Sequence, residues 1–249
     1  YKWGQSVNIS ATIDNLEGYT YKWNTWTSSD TTVLPNQANQ NTTITMPTSS
    51  ITLTASATRT IVEYTITKKV KQDGVINENK TQTLKYNVET PDFDLTTDDI
   101  NGYTFKGWYK DENFTESITG ITEAQTGNIT VYAKWDINKY TVTYNALGGT
   151  CDTSTIEDVP YGAKVNVDPK EIVASKPNYV FKGWSTDATS TTPLESLTMG
   201  TSDIILYAVY VEAVAQIGDN YYETVQDAID AAKELSGQTT IIVLKSVTL

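Results

Sequence analysis

The sequence has no histidine, a single cysteine and no apolar run long enough to cross a bilayer. Without histidine it lacks the commonest general base near neutral pH and the commonest zinc ligand. Cys151 has no partner for an internal disulfide, and its setting beside Gly148-Gly149 reads as a loop rather than a thiolate-activating site. With no segment of about 18 apolar residues, no transmembrane helix and no membrane insertion are expected within this stretch. Basic charge is scarce too: 18 Lys and Arg against 30 Asp and Glu leave a net charge of −12 with no basic cluster. That argues against nucleic acid and anionic membranes as partners. No signal peptide is evident, and the abrupt first and last residues are those expected of an internal piece of a longer protein.

What the chain has in quantity is threonine, about one residue in six, together with 16 Tyr and 6 Trp. Such a composition favours half-buried pleated surfaces over helices. The stretch Gly102-Tyr103-Thr104-Phe105-Lys106-Gly107-Trp108-Tyr109 returns 76 residues on as Asn178-Tyr179-Val180-Phe181-Lys182-Gly183-Trp184-Ser185. Gly18-Tyr19-Thr20-Tyr21-Lys22-Trp23 is a looser version. After a polar stretch, each copy leads to an alternating run: Ile51 to Ala55, Ile129 to Trp135, and Ile204 to Tyr210. A motif recurring at domain-sized spacing marks a tandem array.

The array divides into residues 1–58, 59–136 and 137–212, with 213–249 as the start of something different. In the first module Val7, Ile9, Ala11 and Ile13 alternate with polar residues, and Tyr19 to Trp23 do likewise. Thr27 to Asn41, with Pro35, reads as a loop. The second module has strands at Ile61–Thr67 and Thr81–Val88 around a Gln72-Asp73-Gly74 turn, then an irregular acidic stretch from Pro91 to Asn101. The third can be laid on the second: Tyr64-Thr65-Ile66-Thr67 matches Tyr140-Thr141-Val142-Thr143.

Phase within the organising motif is informative. Along a strand Tyr103 and Phe105 share a face with Gly107, which leaves Trp108 on the other. A β-bulge at the glycine would swing the Trp round to join them, and Gly183 stands in the same place before Trp184. Tyr19, Tyr21 and Trp23 are already in phase with no glycine between them, so the first module is expected to lack the bulge. Recurrence makes Tyr103, Phe105, Gly107, Trp108, Trp135, Tyr179, Phe181, Gly183, Trp184 and Tyr210 the structural core of the repeat. Trp3 and Trp26 fall outside the shared pattern and are the candidates for exposed ligand contact.

The second and third modules resemble the Listeria–Bacteroides repeat, the B-repeat of internalin-type surface proteins. The resemblance rests on Tyr140 to Asn145 with Gly148-Gly149, Val159-Pro160-Tyr161-Gly162-Ala163-Lys164-Val165, Tyr179 to Trp184, Leu206 to Tyr210, and their counterparts Gly102 to Tyr109 and Val131 to Trp135. The first module resembles the divergent form of this repeat, through Gly18 to Tyr21 and Thr43-Ile44-Thr45-Met46-Pro47; an immunoglobulin-like sandwich fits its alternation as well. The resemblance implies a mainly β protein of small β-grasp (ubiquitin- or SUMO-like) modules in an extended tandem array. It also implies a non-catalytic role as a stalk or adhesion region on a bacterial cell surface, attached to the cell wall. Partners would then be neighbouring domains and a host or cell-wall protein or glycan. The alternatives are a dedicated ligand-binding module and an accessory region of a secreted carbohydrate-active enzyme. Val214 to Ile229 resembles the segment that opens right-handed β-helix domains of surface proteins. There Thr224 with Asp227 forms a capping-box-like helix start, Gly237 ends the helix, and Ile241 to Leu244 reads as a buried strand.

The carboxylate pairs Asp92/Asp94, Asp98/Asp99, Asp111/Glu112 and Glu157/Asp158 are the places where acid–base chemistry is conceivable. Each is assigned to a solvated loop, because none recurs as a pair in both repeats. Pro91 to Asp99 is oxygen-rich enough to suggest calcium without matching an EF-hand loop. Lysine isopeptide chemistry needs a buried geometry that spacing does not reveal. No phosphate loop, nucleophile elbow or metal-ligand spacing appears, so neither an enzymatic activity nor a cofactor is expected.

Overall fold

The computed structural model describes residues 1–33 and 37–245. Pro35, the expected breaker of the first loop, lies outside the described residues. Among the described residues the fold is mainly β with one short helix. It clusters into two compact units, Tyr1–Thr97 with Lys106–Lys134, and Asp98–Phe105 with the chain from Trp135 onward.

The first unit opens with four strands paired two by two. β1 (Ser6–Ser10) lies antiparallel to β3 (Asn41–Thr45), and β2 (Tyr19–Ser28) to β4 (Leu53–Ile61). Val7 and Ile9 are half-buried between exposed Ser6, Asn8 and Ser10, as a strand with one inward face requires. Contrary to the expectation for the first module, β2 carries a bulge: its register against β4 slips between Trp23 and Thr25. The expectation fails because a glycine is not needed here. The Asn24 amide exchanges hydrogen bonds of 2.9 and 3.1 Å with the Thr58 hydroxyl across the strand, and these hold the extra residue.

β5 (Tyr64–Gln72) and β6 (Val75–Tyr86) form a hairpin turned by Asp73-Gly74, whose φ values of 50° and 80° are those of a two-residue turn matching the strand twist. β6 starts well before Thr81 because pairing with β5 continues down to that turn. β7 (Phe93–Asp94) pairs with β10 (Gly120–Ile121), inside the stretch expected to be irregular. With β8 (Tyr103–Tyr109), β9 (Ser117–Ile118) and β11 (Ile129–Ile137), a sheet of order β6-β5-β11-β8-β9 results. Its buried face includes Ile66, Val70, Val131 and Ala133, which alternate along β5 and β11.

The second unit repeats this plan. β12 (Lys139–Asn145), β14 (Thr155–Pro160), β17 (Tyr179–Ser185) and β19 (Ile204–Glu212) form a sheet of order β14-β12-β19-β17. β12 and β19 are parallel at its centre, and the outer strands are antiparallel to them. Two short ladders serve the connections: β13 (Thr150–Cys151) with β16 (Ala174–Ser175), and β15 (Lys164–Val165) with β18 (Leu197–Thr198). Val142, Tyr144, Val165, Ile172, Trp184, Met199 and Leu206 fill the core between sheet and connections.

Beyond it, β20 (Ala215–Ile217) pairs with β21 (Asn220–Tyr222) and with β22 (Ile242–Val243), and α1 (Val225–Lys233) packs Ala228 against Ala215 and Ile217. Thr224 caps α1 as its sequence suggests, its hydroxyl accepting from the Asp227 N–H at 3.0 Å. The buried strand expected at Ile241 to Leu244 is instead a two-residue edge strand. Ile242 and Val243 are each 50% exposed, because β22 pairs on one side alone among the described residues.

Candidate functional site

The repeated aromatic motif is built around a register change. In β17 the pairing with β19 slips between Phe181 and Gly183, so Lys182 is the extra, outward residue. Phe181 then faces Tyr210 and Trp184 faces Ala208, both on the inner side of β19. Gly183 sits at φ 138°, and its counterpart Gly107 at φ 126°. Trp184 is fully buried. It meets Tyr144 edge-on at 4.9 Å and Phe181 at 5.2 Å, and it donates from Nε1 to the Ile172 carbonyl at 2.9 Å. Tyr179 and Tyr210 are half-buried and meet edge-on at 6.0 Å. In the preceding module Trp108 and Trp135 are buried and Tyr103 and Gly107 half-buried, whereas Phe105 is 36% exposed with its ring on Trp135 at 5.2 Å.

Trp26, expected at an exposed contact surface, is 6% exposed. It stands two residues past the Asn24 bulge, as Trp184 stands two past the bulged Lys182, and it packs edge-on against Trp23 at 5.6 Å. Its Nε1 donates to the Asn39 carbonyl at 3.2 Å. Trp26, not Trp23, is therefore the first module's equivalent of Trp184. A sequence alignment anchored on Gly18-Tyr19 misses this because the bulge falls two residues later. Trp3 is 75% exposed beside Tyr1 at 88%, so of the two tryptophans outside the shared pattern it alone is placed for surface contact.

The carboxylates serve the backbone. Asp111 accepts from the N–H groups of Asn113, Thr115 and Glu116, and these bonds hold its carboxyl below the usual carboxylate range, the Glu116 bond contributing most. Asp187, 76 residues on, accepts from the Thr189 N–H and hydroxyl, each at 2.8 Å, and is lowered in the same way. Glu157 and Asp158 lie in β14 rather than in a loop, with Asp158 at φ 59° where the pairing with β12 is irregular. Asp92 accepts from the Glu123 N–H within the Pro91 to Asp99 stretch, and no group of three or more Asp, Glu, Cys or His converges as a metal site among the described residues. Half-buried Cys151 donates from Sγ to the Thr153 carbonyl at 3.0 Å. No helix among the described residues is long and apolar enough to cross a membrane.

Residues 64–134 and 140–209, together more than half of the chain, match the Listeria-Bacteroides repeat domain. The chain belongs to this repeat family. Residues 1–59 match the divergent InlB B-repeat domain, which fits the displaced bulge of that module. Among similar proteins, one from Evansella cellulosilytica described as a membrane protein is 39% identical over 114 residues. That match covers 45% of this chain and 16% of the relative. A second from the same organism, described as a Gly-rich membrane protein, is 37% identical over 108 residues, which is 43% of this chain and 12% of the relative. The chain thus spans well under a fifth of the length of either relative.

The two Listeria-Bacteroides repeats fill one core position differently. Lys68 and Tyr144 are equivalent in sequence, and both are buried. The Lys68 ammonium lies 5.4 Å over the Trp108 ring and donates to the Thr96 carbonyl at 2.7 Å, so this buried lysine is engaged by a backbone oxygen and an aromatic face. Tyr144 instead donates to the Asn166 carbonyl at 2.7 Å. Burial, with Cys151 adding to it, pushes the Tyr144 phenol up to about 12, and Tyr210 is raised likewise to about 12. A raised phenol pKa means that the folded state holds the proton more tightly than the unfolded chain, which releases it near pH ~10. The stabilisation is therefore complete below pH ~10 and disappears as pH rises through about 12. Absorbance titration of the phenolates should show a late fraction whose ionisation coincides with unfolding, and Tyr144→Phe should shrink that fraction.

Proposed function

We propose that this chain is a non-catalytic spacer region of a bacterial cell-surface protein, built of β-grasp modules set end to end. The observation that carries the reading is the shortness of the connections. β4 ends at Ile61 and β5 begins at Tyr64; β11 ends at Ile137 and β12 begins at Lys139. Connections of one or two residues leave little room for independent tumbling. The β-grasp assignment is supported by the sheet order β14-β12-β19-β17, in which the module's first and last long strands lie parallel at the centre. Four of the six tryptophans that could have served a sugar platform are buried in the interior, Trp26 included. Family membership supports a surface location, and relatives described as membrane proteins agree with it. A spacer's task is to hold another domain away from its anchor. Small-angle scattering of the chain should then give an elongated particle on the order of 100 Å long, from three modules of roughly 30 Å each. A compact profile would sink the proposal.

A further inference from the structure

The start of the aromatic motif has a second duty, which none of the core contacts explains. In each module the residue just before the motif tyrosine has positive φ: Gly18 at 84°, Gly102 at 79° and Asn178 at 67°. Each also gives its carbonyl to the first residue beyond the closing strand. Val62 N–H donates to Gly18 at 2.8 Å, Asn138 N–H to Gly102 at 2.9 Å, and Ala213 N–H to Asn178 at 2.9 Å. Within the first unit, a Cβ on Gly18 would stand 2.1 Å from Val88 Cγ1. Within the second, a Cβ on Gly102 would stand 2.1 Å from the Tyr161 ring. Val88 and Tyr161 are the same position of two successive repeats: Tyr64 pairs with Tyr86 and Tyr140 with Val159, and each contact residue comes two places later.

We propose that this is a module coupling, in which the glycine turn of one repeat is a seat shaped for a side chain of the next repeat. The partner this surface fits is therefore a following Listeria-Bacteroides repeat that carries a bulky side chain at the Val88/Tyr161 position. Polar contacts fix the orientation of each seat. Tyr19 donates to Glu89 at 2.6 Å while Arg59 stacks on the Tyr19 ring at 4.4 Å. Asn101 donates to the Tyr161 hydroxyl at 3.1 Å, and Tyr161 N–H donates to the Asn138 carbonyl at 2.9 Å. The third turn is an internal control. The module of Asn178 is succeeded not by a repeat but by the β20–α1 segment, and there the carbonyl bond is kept while the glycine is not. An open cleft of about 340 Å³ lies beside that turn, lined by Pro177, Tyr179, Asn220 and Tyr221 among others. The hydrogen bond is thus common to every junction, and the glycine seat is reserved for a repeat.

The coupling rests on the spacer reading only for its purpose, and its test does not depend on particle shape. Trypsin has a site at exposed Lys139, beside the connection that the Tyr161 seat clamps. Two full-chain variants reach the seat from opposite sides. Gly102→Asn keeps a residue type that tolerates positive φ but adds a side chain where Tyr161 rests; Tyr161→Ala removes the occupant. Each should raise cleavage at Lys139 by roughly tenfold, since cleavage follows the population of the opened joint. Combining them should bring cleavage no higher than in Tyr161→Ala alone, because the collision is gone. Cleavage at Lys164, inside the module, should stay at the wild-type rate. Wild-type cleavage at Lys139 in both single variants would overturn the coupling, and so would an equal rise at Lys164, which would mean general unfolding.

Discussion

Replacing Trp184 with alanine is expected to lower the stability of the second unit by about 3–5 kcal/mol, the range for deleting a fully buried aromatic side chain. Three losses combine. The ring fills the centre of a small core and has no solvent-exposed surface. Its edge-on contacts with Tyr144 and Phe181 go with it. The Ile172 carbonyl, on a residue only 6% exposed, loses its indole donor. Trp184→Phe should recover most of the packing but not the hydrogen bond, leaving a cost of about 1 kcal/mol plus the difference in volume. Trp26→Ala should cost the first unit a comparable amount, since Trp26 is 6% exposed and bonded to Asn39. Trp3→Ala, at a residue 75% exposed, should change stability by less than about 0.5 kcal/mol. Calorimetry of the three alanine variants checks the order. A Trp26→Ala protein as stable as Trp3→Ala would refute the claim that Trp26 is the first module's core tryptophan.

The difference between those two tryptophans shows what sequence can and cannot convey. Spacing and alternation are enough to find the repeats, the strands and the bulge at Gly183, because hydrophobic phase and the need for a glycine both leave marks in the residues themselves. The first module's bulge leaves no such mark. It is held by Asn24 and Thr58, 34 residues apart, and only the folded pairing brings them together. Without that bulge Trp26 is out of phase and looks like a surface residue. Lys68 is a similar case: a lysine just past the predicted strand Ile61–Thr67 carries no mark of burial, and its burial depends on a carbonyl and a ring from elsewhere in the module. The edge strand at Ile242–Val243 misleads in the other direction, since an apolar run signals that burial is wanted, not that a cover is present. Asp111 and Asp187 are visible as acids, but their work as turn caps depends on loop geometry that charge alone does not reveal. The glycine of the Gly-Tyr turn is legible as a turn former; the side chain that needs its missing Cβ lies 59 or 70 residues away.

Gly183→Ala should destabilise the second unit by about 3 kcal/mol. Two separate penalties act on the one added atom. A φ of 138° is a backbone conformation that L side chains rarely adopt, worth about 1–3 kcal/mol. The new Cβ would also stand 2.8 Å from Pro193 Cβ, closer than carbon atoms approach, which adds an overpacking cost of similar size. Gly107→Ala separates the two. Gly107 has nearly the same conformation, at φ 126°, but the nearest atom to its added Cβ is Tyr109 Cε2 at 3.8 Å, an ordinary contact. Gly107→Ala should therefore carry the backbone term alone, about 1–2 kcal/mol. Pro193→Gly removes the atom that Gly183→Ala strikes, so the double variant should regain stability relative to the additive sum of the two single changes. The alternative escape from the strain is for β17 to lose its bulge. That would flip Trp184 away from Tyr144, since a one-residue shift of register exchanges the faces of a strand. Near-UV circular dichroism distinguishes the outcomes: a retained tryptophan signal with lowered stability means that the bulge holds under strain, and a lost signal means that the register has slipped. Equal costs for Gly183→Ala and Gly107→Ala would show that Pro193 yields freely and that the backbone conformation alone makes the glycine necessary.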